Sequence, residues 1–575
     1  MDAMPQSTTS EPAETTHDSM PVTSRWQNAQ LLEQARQIGF WWQSRRQVAR
    51  RLGVPDSSFR YCLRQHRQRC ENRRLPRAFV EFCESPHGLE FLQQLLVALH
   101  LVFGQANDCG LRSIGQFLRL SGLDECLPPS FGAQQAFAAQ LETALAAYGR
   151  EQEQRLAAEM PPRDITVCED ETFHPQICLV AMEPVSDYLL LEQYAPQRDA
   201  ETWNGCLDQR LAAWPVTVCQ ATSDEAKALL THAEEHLGAH HSPDLFHVQQ
   251  DLVRGTSVAL AGQTRRAHEA VTAAEQQTRQ QQAELTACQQ QCPQSTHVAE
   301  LVQQAAVAET ATADARQRLT ACQQRQQDAT TARHGISHDY HPLDIETGRS
   351  LTDKEVEQRL TQHFDRLDEV ARDAGLSANA REKLAKARRV LPAMVGTITF
   401  FWTTVAAWLA KVPWPWPAEQ TALVTTWLRK QLLPGLYLER VAAKAATAVE
   451  RQRLRTLAAE VLARARSPDG VWGTLSDPER ELVETQARRC ADLFQRSSSC
   501  VEGHNGQLSL RHHGLHRLTP RKLAALQVLH NFLIQRPDGT TAAERFFGVR
   551  PRPLFRWLLS HLPLPARPHR HTAAA

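Results

Sequence analysis

The spacing of apolar residues in one central segment predicts a small sheet. Three short apolar runs, ITVCEDETFH (165–174), ICLVAMEP (177–184) and DYLLLEQYA (187–195), are separated by turn residues, which is typical of consecutive antiparallel strands. A helix is predicted next. A fourth strand follows in PVTVCQATSD (215–224), then a helix, and then a short strand in SPDLFHV that enters a third helix. The segment therefore combines five strands with helices between the later ones.

Helical spacing dominates the rest of the chain. A long stretch rich in Gln, Ala and Thr follows the sheet and is typical of a helical hairpin or coiled-coil arm. The order of three strands, helix, strand, helix and strand is that of the RNase H-like fold. We therefore predict an α/β protein that is helix-rich overall. It has an RNase H-like catalytic core interrupted by a large α-helical insertion, and an N-terminal helix-turn-helix domain.

This pattern divides the chain into eight predicted segments. The first 24 residues are acidic, rich in Ser and Thr and lack an apolar run, so we expect no signal peptide there. The predicted segments are a disordered tail (1–24), a helix-turn-helix DNA-binding domain (25–80), a helical linker or dimerisation region (81–160), the first part of the core (161–261), the helical arm (262–333), a helical insertion domain that begins with a loop at 334–350 (334–490), the second part of the core (491–545) and a basic C-terminal tail (546–575).

Charge is balanced over the whole chain but not locally. The 575 residues include 64 Lys and Arg and 64 Asp and Glu, so the net charge indicates no polyanionic partner. Residues 25–77, however, contain 13 arginines and three acids, and residues 545–575 contain six arginines and no acid. Such blocks are typical of nucleic-acid contact, with solvated helix faces as the alternative. No run of 18 apolar residues is present, so no membrane span is predicted.

The segment QVARRLGVPDSSFRYCL (47–63) has the spacing of a helix-turn-helix. Small Ala49 permits close helix crossing, Gly53 takes the turn, and Phe59 fixes the second helix. The alternative is a basic helical hairpin that packs on the rest of the protein. The arginines expected to contact DNA in this domain are Arg45, Arg46, Arg60 and Arg64.

Two aspartates lie at the ends of the predicted first and fourth strands. Asp170 and Asp224 are expected to be close, because those strands are neighbours in an RNase H-like sheet. Two unpaired carboxylates at short range are costly unless a cation lies between them, and Mg²⁺ or Mn²⁺ prefers oxygen ligands. Two ions require a third acid, for which Glu502 is the first candidate and Asp344 the rival. Strand-end solvation, or helix capping by Asp224, is the alternative.

Several blocks resemble those of DDE transposases of bacterial insertion sequences. The resemblance lies in VCEDETFHP, TSDEAKAL, DLFHV and, much later, SSSCVEGHNGQLSLRHH, and is vague in the long helical insert. It implies three acids that bind two Mg²⁺ or Mn²⁺ ions on an RNase H-like core, cut element ends and join them to target DNA. Carried over residue by residue, Asp170, Asp224 and Glu502 match the triad, and the long interval between the last two corresponds to an inserted domain.

The expected function is therefore that of a DNA transposase catalysing metal-dependent cleavage and strand transfer. Its expected partners are double-stranded DNA, as element ends and target, and a second copy of the chain, in the bacterial cytoplasm at the nucleoid. The alternatives are an inactive relative that regulates by binding DNA and an RNase H-like nuclease. The remaining predicted DNA contacts are His247, Arg496, Asn505 and Arg511. For His247 the alternative is a role in the core, and for Asn505 it is a role on the helix surface.

Overall fold

The computed structural model describes residues 24–38, 43–71, 75–291, 294, 296–515 and 518–567. Apart from Ser24, the predicted tail (1–24) lies outside these residues, as does the end of the predicted basic C-terminal segment (568–575). The chain divides into two compact units, one formed by Met1–Met160 with Leu508–Ala575 and the other by Pro161–Gln507.

Helices alone precede the sheet in the described part of the chain. A π-helical segment extends the fifth of them over Leu99–Ala106, and a short 3₁₀ turn lies at Leu123–Glu125. The α-helices are α1 (Ser24–Gln37), α2 (Arg45–Arg51), α3 (Asp56–Glu71), α4 (Arg77–Cys83), α5 (Pro86–Ala98), α6 (Leu111–Leu120) and α7 (Phe131–Glu159).

The residues of the predicted helix-turn-helix form α2, a tight turn and α3. Ser44 begins α2 with a capping box, since its hydroxyl accepts from the Gln47 N–H and the Gln47 side chain accepts from the Ser44 N–H. Gly53 follows α2 with φ +67°, a left-handed conformation that favours glycine. Ala49 and Phe59 are both buried in one small apolar cluster. The spacing noted in the sequence thus corresponds to a packed helix pair.

A single mixed sheet of five strands follows, so the structure is a helix-rich α/β protein, as predicted. The strand order is β3-β2-β1-β4-β5. The pairs β1–β2 and β2–β3 are antiparallel, whereas β4 and β5 run parallel to β1. The elements are β1 (Arg163–Phe173), β2 (Ile177–Glu183), β3 (Tyr188–Ala195), α8 (Ala200–Leu211), β4 (Val216–Ser223), α9 (Lys227–Thr231), which continues as a π-helical turn at His232–His236, and β5 (His240–Pro243).

One irregularity sets the register between β1 and β4. Ile165 pairs with Val218 but Thr166 pairs with Gln220, so Cys219 is an extra residue in β4, a β-bulge. The register then continues without a break to the pair of Cys168 with Thr222. The bulge therefore decides which residues of β4 lie level with the end of β1.

Helices make up the rest of the Pro161–Gln507 unit. The predicted arm (262–333) lies within the first two, and the predicted loop at 334–350 starts later than expected, because the second helix continues to Asp339. A 3₁₀ turn lies at Val471–Thr474. The helices are α10 (Leu245–Gln291), α11 (His297–Asp339), α12 (Asp353–Asp373), α13 (Ala378–Arg389), α14 (Leu391–Lys411), α15 (Ala418–Trp427), continued by a π-helical segment at Leu428–Leu432, α16 (Leu433–Lys444), α17 (Ala448–Ala465), α18 (Asp477–Asp492) and α19 (Ser499–Leu515).

The helices after the sheet share one apolar core with the start of α10. Leu245, Val248 and Leu252 of α10 belong to the same buried cluster as Phe401 of α14 and Phe494 before α19. On the sheet side, Thr397 of α14 hydrogen-bonds the Ser242 hydroxyl of β5 at 3.2 Å. Helices that the sequence separates from the sheet by more than a hundred residues are therefore packed directly on it.

The remaining helices pack with α7 in the other unit. They are α20 (Pro520–Phe532), α21 (Ala542–Phe547) and α22 (Leu554–His561). Tyr148 of α7 contacts the rings of Phe532 and Trp557 edge-on, with centroids 5.4 Å apart in both cases. A Cβ at Gly149 would come within 2.6 Å of Val528, so glycine permits the close approach of α7 and α20.

Two helical stretches are long and apolar enough to span a membrane, Pro86–Ala106 and Ala378–Lys411. Both contribute residues to the interior of their own unit, such as Leu92 and Leu96 in the first and Ile398 in the second. Core helices of soluble proteins meet the same criteria of length and composition.

Candidate active site

Carboxylates occupy one level across the sheet. The observed pairs end at Cys168 with Thr222 and at Ser223 with Pro243, and extending both registers puts Asp224 at the level of Asp170 and Asp244 at the level of Asp224. In the other direction Asp170 pairs with Val180, which pairs with Glu192. Paired residues on adjacent strands point to the same face and lie about 5 Å apart. Three aspartates and a glutamate are therefore directed to one face, near the carboxyl ends of the parallel strands.

The chain returns to this face just before α19. The Gln220 side-chain amide donates to the Gln495 carbonyl at 2.9 Å, and the Leu245 N–H donates to the Arg496 carbonyl at 3.0 Å. Asp244 accepts from the Ser498 N–H at 3.0 Å and from the Ser498 hydroxyl at 2.6 Å. These contacts fix the start of α19 to β4, β5 and the head of α10.

Helix α19 is then held over the carboxylate row by two side-chain contacts. His504 Nε2 lies 2.6 Å from Glu192 Oε1, and both groups are buried. The Asn505 Nδ2 donates to Asp170 Oδ2 at 2.7 Å. Since both partners lie on the same level of the sheet, the helix is oriented across the strands. Glu502, one turn earlier, consequently faces Asp170.

Asp170, Glu502 and His247 form the compact centre of the site. One ligand atom from each of the three lies within 4.8 Å of the other two. His247, in the first turn of α10, has its Nε2 3.3 Å from Glu502 Oε1 and 3.7 Å from Asp244 Oδ2. Asp224 is outside this group of three. Its carboxylate accepts from the Ala226 N–H at 3.1 Å in the turn before α9, whose N-cap is Ala226, so Asp224 does not cap that helix.

A cavity of about 370 Å³ adjoins the centre and links these residues to the helices that follow. Asp224, Asp244 and His247 line one part of it, and residues of α10 and α13 line the rest. Asp224 also lies close enough to Glu502 to act on its ionisation. His247 is therefore the member of the centre that lines this cavity, together with Asp224 and Asp244.

Burial and charge repulsion raise the pKa of both acids in the centre. Burial, followed by the charge of Glu502, raises the pKa of Asp170 to about 7, although the hydrogen bond from Asn505 acts in the opposite direction. Burial is also the main cause that raises the pKa of Glu502, with Asp244 and Asp224 adding to the effect and His247 opposing it. Two such carboxylates are stabilised by a positive charge between them.

The donor set fits a divalent cation. Carboxylate oxygens suit Mg²⁺ and Mn²⁺, and an imidazole nitrogen shifts the preference towards Mn²⁺ and later transition metals. His247 Nε2 is buried beside the two carboxylates and makes no hydrogen bond in the described residues, so it faces the position that an ion between them would occupy. Asp170, Glu502 and His247 would hold one ion, and Asp224 lies beside them.

The rival third acid, Asp344, has a structural role instead. Its carboxylate accepts from the N–H groups of Glu346 and Thr347 at 2.9 and 3.0 Å and pairs with Arg359 at 2.8 Å. These contacts stabilise the turn after α11, and Asp344 is not among the residues of the acidic centre. Of the two candidates, Glu502 is the one that meets Asp170.

Two of the predicted DNA contacts are engaged inside the protein. The Arg496 guanidinium donates to the carbonyl oxygens of Ser337 and Tyr340, at 2.7 and 2.9 Å. Arg511 donates to the Gln105 carbonyl at 3.1 Å and pairs with Asp108 at 3.2 Å. Backbone acceptors thus engage both side chains, with Asp108 as a further partner of Arg511, and DNA contact by either arginine stays a prediction.

The arginines predicted to contact DNA in the helix-turn-helix are more exposed. Arg45 and Arg60 both pair with Asp56, at 3.3 and 2.8 Å. Arg64 lies over the Tyr61 ring, 5.8 Å from its centroid. Arg46, at the head of α2, is exposed to solvent. Because surface ion pairs are weak, these side chains can exchange their partners for phosphates.

Sequence reasoning missed Asp244 and the pair of Glu192 with His504. Asp244 lies within the segment predicted as the fifth strand and stands directly after the observed β5, so the strand-end argument that selected Asp170 and Asp224 applied to it as well. Glu192 is a charged residue inside the apolar run of β3, which is a signal for a buried partner. Both position α19 rather than complete the acidic centre.

Comparison with known proteins adds one match to this geometry. A family model described as a family of unknown function (DUF6399) matches residues 428–574. The matched residues include Glu502, His504 and Asn505 but neither Asp170 nor Asp224. Comparison with curated proteins and with solved structures finds no match.

Proposed function

We propose that this protein is a DDE-type DNA transposase that cuts and joins DNA with divalent metal ions. One observation carries the proposal. Glu502 lies far from Asp170 in sequence, yet its ligand atom lies within 4.8 Å of those of Asp170 and His247. Asp170 was predicted from a strand end and Glu502 from the VEGHN motif, and the two residues are neighbours in the fold. Asp224 is close by.

The sheet supports an RNase H-like core. Three antiparallel strands are followed by α8, β4, α9 and β5, and both later strands run parallel to β1. The helices α10–α18 all lie between β5 and α19 in sequence, which agrees with a large insertion inside the core. Active sites of open sheets lie at the carboxyl ends of parallel strands, where Asp224 and Asp244 stand.

Some side chains of the site would bind the ion, and others orient those ligands. Asp170, Glu502 and His247 would hold a divalent ion, which when bound lowers the pKa of a water or 3′-hydroxyl nucleophile and stabilises the leaving oxygen. Asn505 holds the Asp170 carboxylate in place, and Asp244 fixes Ser498 and thereby the helix that carries Glu502. A preorganised set of this kind needs no movement of the chain before an ion binds.

The N-terminal helices support double-stranded DNA as the partner. The α2–turn–α3 pair has exposed arginines on α2 and α3, and a second helix of this kind can enter the major groove. The long hairpin of α10 and α11 supports self-association, because apolar residues along it, such as Val258 and Val307, are exposed. We therefore propose a homodimer that holds two DNA ends, in the bacterial cytoplasm.

Cleavage and strand transfer on DNA that carries the flanking ends of the gene test this function. The wild type should nick and join such DNA in Mn²⁺ or Mg²⁺. The variants Asp170→Ala, Asp224→Ala and Glu502→Ala should lose about a hundredfold to a thousandfold in rate, because each removes a carboxylate that would hold or lie near the ion, while they retain end binding.

The other outcomes separate the alternative functions. Tight, salt-dependent binding without any metal-dependent nicking would indicate an inactive relative that regulates by binding DNA. Nicking without strand-transfer products would indicate an RNase H-like nuclease. Loss of end binding together with cutting in all three variants would assign the acids a folding role and contradict the proposed chemistry.

A further inference from the structure

We propose that three basic side chains beside the acidic centre bind the phosphates that flank the reacting one. This basic rim consists of Arg254 on α10 and Lys386 and Arg389 on α13. It deepens the proposed function and rests on it, since it names the surface along which the DNA strand would leave the site. The partner is the sugar–phosphate backbone, and no base is recognised.

The rim is fixed next to the centre by the packing of α13 on α10. A Cβ at Gly255 would lie 3.0 Å from the Ala380 carbonyl oxygen and 3.3 Å from Leu384, so the two helices cross closely at this glycine. Lys386 pairs with Asp251 at 2.9 Å, one helical turn from His247 along α10. Both contacts hold the α13 side chains at a constant distance from the acids.

The same cavity contains groups from the rim and from the acidic centre. Arg254 and Lys386 line it together with Asp224 and His247. Arg389 lies close enough to Glu225, the residue after Asp224, to oppose the burial that raises its pKa. A group bound at the acids would therefore have cationic side chains within its immediate surroundings.

The rim side chains are available to a ligand. Arg254 and Arg389 are exposed, and no ion pair or hydrogen bond of either is seen in the described part of the chain. The Lys386 side chain is 60% exposed despite its pairing with Asp251. Helix α13 as a whole carries five basic residues and one acid, Glu382. Arg388 is paired with Asp365 and Asp368, whereas Arg389 remains without an ion pair in the described residues.

Charge complementarity selects a phosphodiester strand as that anion. The acids Asp170, Asp224 and Glu502 repel a phosphate, so a strand whose phosphate reaches their ions must have its adjacent phosphates neutralised elsewhere. Each phosphate of a strand carries one negative charge, and the cationic side chains of the rim can neutralise more than one of them. A small anion would not need cations on two helices.

The test measures how DNA binding by the full-length protein depends on salt, in EDTA and with a duplex of the flanking end sequence. Each phosphate contact contributes about 0.9 to the slope of log K against log[salt]. The double variant R254Q/R389Q should therefore lower the slope by about 1.8 and the affinity at 150 mM salt by at least about tenfold. The charge-retaining variant R254K/R389K should keep the wild-type slope.

A matched double variant, R372Q/R455Q, removes two exposed arginines on α12 and α17. If R254Q/R389Q melts like the wild type but has the same slope as R372Q/R455Q, the rim does not bind DNA and the inference is overturned. If the slope falls only in R254Q/R389Q, the rim binds DNA. Wild-type nicking in Mn²⁺, measured in parallel, tests the proposed function separately, because binding in EDTA requires no chemistry.

Discussion

Replacing Asp170 by asparagine should stabilise the metal-free protein and abolish its response to metal. In the absence of an ion, the Asp170 carboxylate is held near Glu502, and burial and that charge raise its pKa to about 7. Asparagine has the same shape, and its amide oxygen can accept the hydrogen bond that Asn505 donates. The substitution D170N therefore removes the charge without removing the contact that orients α19.

The size of the effect follows from the pKa and its sign from the direction of the shift. A carboxyl group whose pKa rises from 3.8 to about 7 on folding is neutral and harmless below pH 3.8. The cost of ionising it grows as the pH rises to 7 and reaches roughly 4 kcal/mol above it. At pH 8 in EDTA, D170N should unfold about 5 °C higher than the wild type, with a smaller difference at pH 5.

Thermal unfolding with and without Mn²⁺ measures both parts of the prediction. At about 100 times its dissociation constant, Mn²⁺ should stabilise the wild type by roughly 2.7 kcal/mol and D170N far less. The control is D164N, which neutralises an exposed carboxylate on the same strand and should change neither value. The reasoning is refuted if D170N unfolds at or below the wild-type temperature at pH 8 in EDTA while D164N is unchanged. The charges of Asp170 and Glu502 would then not destabilise the metal-free protein.

Three further predictions concern the surroundings of the site. H247Q should weaken Mn²⁺ binding by at least about tenfold and Mg²⁺ binding less, measured by calorimetric titration, because only the imidazole favours Mn²⁺; equal losses for both ions would contradict ligation by His247. Replacing residues 262–333 by a short Gly/Ser link should lower the oligomeric mass in light scattering and weaken end binding, and an unchanged mass and affinity would exclude that role for the arm. Hydrogen bonding to Asp339 raises the pKa of His338 to about 9, so its stabilising charge is complete below pH 6.5 and lost as the pH rises through 9; the melting difference between wild type and H338Q should shrink over that range, and a constant difference would contradict it.

The sheet could be predicted because its strands are marked by short apolar runs and turn residues. The positions of Asp170 and Asp224 at strand ends followed from the same pattern. The extra residue Cys219 could not be predicted, since a bulge leaves no mark in hydrophobic alternation. It matters nonetheless, because if Cys219 paired with Thr166 in a regular register, Asp170 would lie level with Ser223 instead of Asp224.

The contacts that bring Glu502 to the sheet could not be predicted from the sequence either. It depends on Ser498 and Asp244, and on Asn505 and Asp170, and these pairs join residues hundreds of positions apart. Propensity gives little help, since α19 contains glycines that weaken a helix. The internal acceptors of Arg496 were unpredictable for a related reason, because carbonyl groups of a distant helix end leave no sequence signature.

Anomalous diffraction from crystals soaked in Mn²⁺ tests the central claim most directly, because it locates the ions independently of activity. We expect a manganese peak bound by oxygen atoms of both Asp170 and Glu502 at about 2.2 Å, with His247 as a nitrogen ligand. The D170N protein should lack that peak. Manganese bound only at other surface acids of the wild type, with none between Asp170 and Glu502, would contradict the account.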